Sequence, residues 1–280
     1  MKNFVYVLLG LLFIQFPTYA QGTLEGIFSG TRMINGHSLE TNKEGELEMI
    51  ISHRFGRINS GGYELFGLDQ ATIRLGLEYA LWDGMMVGVG RSSFEKTYDA
   101  FAKIRLFRQS RSNRGMPFGA TYLGSVAMKT LRESDPVKDE LPASNLFFTH
   151  QLLIGGRAGD RFSWQLMPTV VHRNFVETAE EAHDVFALGG AFRIGVSKNM
   201  SLVVEYYGPF AGQLTEDRLP SLAFGLDIDT GGHVFQIHVT NSRGMVEKVF
   251  ITDTTGDWSR GDLHIGFNIG RIFKLKGRWY

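Results

Sequence analysis

Leu263-His264-Ile265-Gly266-Phe267-Asn268-Ile269-Gly270-Arg271-Ile272-Phe273-Lys274-Leu275 decides the fold. Its odd positions are mostly large and apolar: Leu263, Ile265, Phe267, Ile269, Phe273 and Leu275. Its even positions begin polar or small: His264, Gly266, Asn268 and Gly270. Successive side chains of a strand face opposite sides. One face of this strand is therefore apolar, and the other suits a polar or crowded interior. The strand lies close to the C-terminus, where a closed barrel keeps its closing strand.

The same alternation recurs upstream. Strands are predicted at Glu46–Phe55, Ala71–Leu81, Met85–Ser92, Tyr98–Arg108, Phe118–Thr130, Leu146–Arg157, Phe162–Arg173, Val185–Ser197, Ser201–Tyr207, Ser221–Asp229 and His233–Thr240. Asp83-Gly84 is a hairpin turn signal. Nearly every even-numbered connection is tight, and nearly every odd-numbered one is longer. The longest, Asn241 to Gly261, precedes the last strand and carries no convincing helix. Short turns on one side and longer loops on the other mark transmembrane barrels. The expected fold is all-β: an antiparallel up-and-down transmembrane barrel of about twelve strands, with both termini in the periplasm. A soluble sandwich also alternates, but its apolar face points into a core.

Met1 to Ala20 reads as a secretory signal: Lys2, an apolar run from Phe4 to Phe16, and small residues in Thr18-Tyr19-Ala20. That run is too short to span a bilayer as a helix. Export without a spanning helix leaves only strands to cross a membrane. The chain thus divides into a signal (1–20), a polar, Gly-rich stretch (21–45) and the barrel (46–280). Residues 21–45 form either a periplasmic lead-in or a segment tucked into the lumen.

Composition agrees. The chain has 280 residues with 34 Gly, 22 Phe and 7 Pro, which suits many strands and tight turns. Charge is balanced, 29 basic against 29 acidic residues, where a nucleic-acid binder would carry a basic excess. There is no cysteine, which excludes disulfides and cysteine chemistry. Asn268, Gly270, Phe273 and Leu275 resemble the C-terminal signal read by the outer-membrane barrel assembly machinery. That machinery and the outer-membrane bilayer are the expected partners, with a small solute or ion if a path is open.

Several stretches carry a family resemblance: Thr31-Arg32 with Ile34-Asn35-Gly36-His37-Ser38, His53-Arg54-Phe55-Gly56, Leu65-Phe66-Gly67-Leu68-Asp69, and Gly88-Val89-Gly90-Arg91-Ser92. In these the chain resembles a family of outer-membrane barrels of unknown function from Bacteroidetes-type bacteria. The resemblance implies the barrel fold and the outer membrane, and carries over no catalytic residue.

If the apolar faces meet lipid, the opposite faces line the lumen. The lumen candidates are Glu46, Glu48, Arg54, Arg74, Glu78, Lys103, Arg105, Arg193, Glu205, Asp227, His238 and His264. Both signs are present. A sign-selective channel favours a ring of one charge, whereas mixed charges suit a network that fills a small barrel. His233, His238 and His264 show no ligand spacing of a known metal site, and no metal or cofactor is expected. Glu180, Glu181, His183 and Asp184 read as a solvated acidic loop, without EF-hand spacing. Gly88-Val89-Gly90 is a small-residue strand face, because no helix follows it. Ser93-Phe94-Glu95-Lys96 lacks the companion acylase motifs, and Arg260-Gly261-Asp262 is a turn. The expected role is non-enzymatic: a narrow pore, a transporter or an envelope structural component. The alternative is a lipid-active barrel enzyme with a histidine on its rim. That enzyme would use His150, with Ser125 on the preceding strand as its nucleophile.

Overall fold

In the computed structural model, twelve antiparallel strands close into one barrel in sequential order. The structure describes residues 24, 26–110, 115–131, 142–176, 178–179 and 181–275. The signal at 1–20, Glu180 and the final aromatic pair Trp279-Tyr280 lie outside the described residues. The strands are β1 (Glu46–Arg57), β2 (Ala71–Trp82), β3 (Met85–Ser92), β4 (Tyr98–Phe107), β5 (Gly119–Met128) and β6 (Leu146–Ala158). They continue as β7 (Phe162–Arg173), β8 (Asp184–Gly195), β9 (Met200–Pro209), β10 (Ser221–Asp229), β11 (His233–Thr240) and β12 (His264–Lys274). The first and last strands close the wall, with Ile51 opposite Ile269 and Ser52 opposite Asn268. The two alternations are in phase around Ile51 and Ser52, whereas nearer the start of β1 Met49 faces Arg271 and Glu48 faces Ile272.

The wall is apolar outside and carries its buried charged and polar side chains inside, beside a set of apolar ones. Leu75 and Leu77 on β2, Leu188 and Phe192 on β8, Phe224 on β10 and Ile237 on β11 are all exposed. Their alternates, among them Arg74, Glu78, Glu205 and His238, are buried. A soluble sandwich would show the reverse. No helix among the described residues is long and apolar enough to cross a membrane. Strands make the crossing, because closure leaves no backbone group unpaired in lipid. Ile237, 58% exposed in the middle of β11, tests the belt directly. Ile237→Arg should cost about 2–4 kcal/mol in urea titrations of folding into vesicles, the price of a cation near the bilayer midplane. A cost of only ~0–1 kcal/mol would place Ile237 at an interface instead.

Tight turns gather at one end of the barrel. Gly84 and Gly231 take positive φ there, at 94° and 82°, which only glycine adopts without strain. The opposite, loop end carries residues 58–70, 93–97, 129–131, 142–145, 174–176, 178–179, 181–183, 210–220 and 241–263. One of these departs from the sequence reading. The 241–263 connection holds a short helix, α1 (Glu247–Thr252), all of whose residues are buried. Val249, Phe250 and Ile251 supply the reason: they find apolar partners only inside, with the Phe250 ring 5.0 Å from that of Tyr207. Smaller differences lie at strand ends, such as β9 running on to Pro209.

The lumen has a core of its own. Ile27, Phe28, Met33, Ile34 and Leu39 of the segment before β1 pack with wall residues Phe101, Leu123, Leu153 and Met167 and with Phe250 and Ile251 of α1. Glycine makes room for large polar groups on the other side. A Cβ at Gly90 would lie 2.3 Å from the Arg74 guanidinium, and one at Gly266 would lie 2.5 Å from His238 Nε2.

Candidate functional site in the lumen

Residues 31–38 form a small hairpin inside the barrel. The Met33 amide donates to the Gly36 carbonyl at 2.9 Å and the Ser38 amide to the Thr31 carbonyl at 3.0 Å. Such a segment has no sheet to satisfy its backbone, and buried amides and carbonyls must find partners. The wall supplies them as side chains. Glu205 of β9 accepts the N–H groups of Ile34 (3.1 Å), Asn35 (3.0 Å) and Gly36 (3.1 Å). Three successive amides around one carboxylate make a backbone nest. Gly36 is required at its edge, since a Cβ there would lie 2.2 Å from the Tyr207 hydroxyl. Lys103 of β4 donates to the carbonyls of Thr31, Ser38 and Glu40 at 2.9, 3.1 and 3.0 Å. Gln165 of β7 accepts from the Leu39 amide at 2.7 Å and donates to the His37 carbonyl at 2.8 Å.

Charge concentrates beside the hairpin. Arg32 Nε donates to Glu78 at 2.7 Å, with both side chains nearly solvent-free. The Thr31 hydroxyl, with one proton to give, lies between two carboxylates, 3.0 Å from Glu78 and 2.9 Å from Glu48. Glu247 of α1 reaches in from the loop end, 3.3 Å from His37 Nε2 and 3.9 Å from Arg32. Arg54 of β1 joins the two insertions. It donates to the carbonyls of Ser242 (2.9 Å) and Gly244 (2.7 Å), and to Asn35 Oδ1 of the hairpin.

The remaining sequence candidates bind partners as well. Arg74 pairs with Asp99, and Arg105 bonds the Thr41 hydroxyl. Arg193 donates to Ser29 at 3.2 Å, and Asp227 accepts from Gln236 at 2.6 Å. Glu46 caps the Lys43 amide at 3.0 Å. His238 lies 3.3 Å from Arg54, and His264 Nδ1 lies 2.9 Å from the Phe55 carbonyl. His233 stacks on Phe235. No group of three His, Asp or Glu among the described residues is arranged to hold a metal. Sequence reasoning missed Arg32, Asn35, His37, Gln165 and Glu247, which lie outside the charged strand positions it selected. For Arg32, Asn35 and His37 the motif Thr31 to Ser38 is the one sequence signal; Gln165 and Glu247 have none.

The wall pair is corrected. His150 points outward and pairs across the sheet with Gly124, whereas Ser125 pairs with Thr149 on the inner face. Side-chain alternation therefore puts Ser125 and His150 on opposite sides of the wall. His150 bonds the Tyr122 hydroxyl at 2.6 Å instead. At the loop end, the Thr215 hydroxyl bonded to Asp217 holds that carboxyl below its ordinary range. The Asn59 side chain does the same for Asp262.

A closed barrel with an apolar outer belt and a buried polar lumen is a membrane-spanning barrel of the outer-membrane kind. The chain belongs to the family described as Membrane bound beta barrel domain (DUF5777), whose model matches residues 28–273. No curated protein matches it. Among solved structures, the chain is similar to the NanC porin (7% identity, TM-score 0.48, covering 82% of this chain and 100% of that one). It is also similar to an outer-membrane channel from Pseudomonas putida F1 (11%, TM-score 0.49, 84% and 97% covered). A third similarity is to outer membrane phospholipase A from Escherichia coli (10%, TM-score 0.47, 82% and 91% covered). With identities and TM-scores this low, none of these assigns an activity to the chain.

Proposed function

We propose that this protein is a closed outer-membrane barrel, a non-enzymatic envelope component whose working face is its loop end. Its turn end and both termini face the periplasm on this reading. Residues 1–20 are removed on export, 26–45 fill the lumen, and the barrel begins at Glu46. Asn268, Gly270, Phe273 and Leu275 serve the assembly machinery. The observation that carries the proposal is the shared lumen core, in which the N-terminal segment, the wall and α1 pack together. The family match begins at Phe28, which supports counting the inserted segment with the barrel. The rim-enzyme alternative loses its nucleophile with Ser125 on the inner face.

A second reading, a gated narrow pore, is favoured by the way the segment is held. Beside its apolar packing, side-chain hydrogen bonds and buried charge contacts hold it, and among the described residues it makes no strand pairing with the wall. Conductance of the refolded chain from Gln21 onward in a planar bilayer separates the readings. The closed barrel should be silent, and Glu205→Ala should conduct only because its segment has left the lumen. Discrete steps from the parent protein would overturn the closed reading and favour the gate.

A further inference from the structure

The loop end holds a cavity of about 270 Å³ lined from four connections, by Glu95, Lys129, Glu181 and Arg218, and by Lys248 of α1. That is close to the ~300 Å³ at which small-ligand pockets begin. Four cations line it (Lys129, Arg173, Arg218 and Lys248) against three carboxylates (Glu95, Glu181 and Asp253). Most of these charges are already matched. Lys248 pairs with Asp253 and, at 3.3 Å, with Glu95. Lys129 lies 3.6 Å from Glu95, and Arg173 lies 3.4 Å from Glu181.

Arg218 differs. Its side chain is only 25% exposed, and its nearest carboxylate is its own neighbour Asp217, at 3.8 Å. Asp217 already accepts the Thr215 hydroxyl at 2.5 Å. Among the described residues the Arg218 guanidinium makes no hydrogen bond. It carries five donors in a planar fork that matches a carboxylate or phosphate. Phe94, Phe147 and Phe175 add apolar surface to the same cavity.

We propose that this cavity binds a small organic anion, a free carboxylate or phosphate ester of about monosaccharide size, on the fork of Arg218. The site goes beyond the closed-barrel reading and does not depend on whether the lumen ever opens. Calorimetric titration of the chain from Gln21 onward in detergent micelles tests it, with glucuronate, glucose 6-phosphate and glucose as probes. Both anions should bind saturably and glucose should not. Arg218→Ala should weaken the anions by about tenfold or more, the scale of a charge-assisted hydrogen bond. Arg218→Lys, which keeps the charge and loses the fork, should fall between. Heat-modifiable migration checks that each variant remains a folded barrel. No saturable heat from either anion, equal binding of glucose, or unchanged affinity in Arg218→Ala would each overturn the proposal. Phosphatidylglycerol added to the micelles should leave glucuronate binding intact. Displacement by it would assign the site to a lipid headgroup and reject the free solute.

Discussion

Replacing Glu205 with alanine should release the N-terminal segment while leaving the barrel wall closed. The carboxylate is the shared acceptor for three consecutive amides at the hairpin tip. Without it, Ile34, Asn35 and Gly36 keep buried donors that nothing nearby can satisfy, and each such donor costs about 1–3 kcal/mol. The wall does not share that loss, because its strands are held by their own ladder and β9 keeps its pairing with β8 and β10. Trypsin reads the difference. Arg32 within the hairpin and Lys43 after it should be cut in the variant but protected in the parent, with the heat-modifiable barrel intact in both. Glu205→Gln keeps one acceptor oxygen and should be cut at an intermediate rate. Equal protection in Glu205→Ala and the parent would mean that the apolar contacts of Met33, Ile34 and Leu39 hold the segment by themselves.

Glu78→Leu should be among the most destabilising single changes in the lumen. It removes the closest partner of Arg32 and strands a guanidinium that is almost free of solvent. Breaking a buried pair from one side costs about 3–5 kcal/mol. Glu247, 3.9 Å from Arg32, is too distant to take over the bond. Adding Arg32→Leu should recover most of the loss, since no uncompensated charge then remains and two apolar side chains can pack. The urea midpoint of unfolding from vesicles measures both proteins. A double variant as unstable as the single would show that Glu78 matters for its bond to Thr31 and not for the ion pair.

Much of the wall is legible in the order of residues alone. Alternation in β12 and β2 carries both faces at once, because a strand between lipid and lumen must change environment at every residue. The lumen charges are legible for the same reason: Arg54, Arg74, Glu78, Lys103 and Glu205 all occupy the polar phase of a strand. What they do there is not legible. Alternation reports which face a residue takes, never what fills the space in front of it. Ser125 and His150 show the limit from the other side. Position along the chain allows the two to meet, but the register sets Ser125 against Thr149, and one residue of phase turns a side chain through the wall.

The sequence by itself therefore determined the class of protein, an approximate number of crossings and the lumen face of the charged strand positions, because those follow from local periodicity. Only the tertiary structure decided that the lumen is filled. Residues 26–45 have no period to read, since their backbone is satisfied by Glu205, Lys103 and Gln165 from strands far along the chain. The loop that turns inward at α1 is likewise set by Phe250 meeting Tyr207 and by Arg54 holding the Ser242 and Gly244 carbonyls. Contacts at that sequence separation leave no local trace, and they exist only once the barrel has closed.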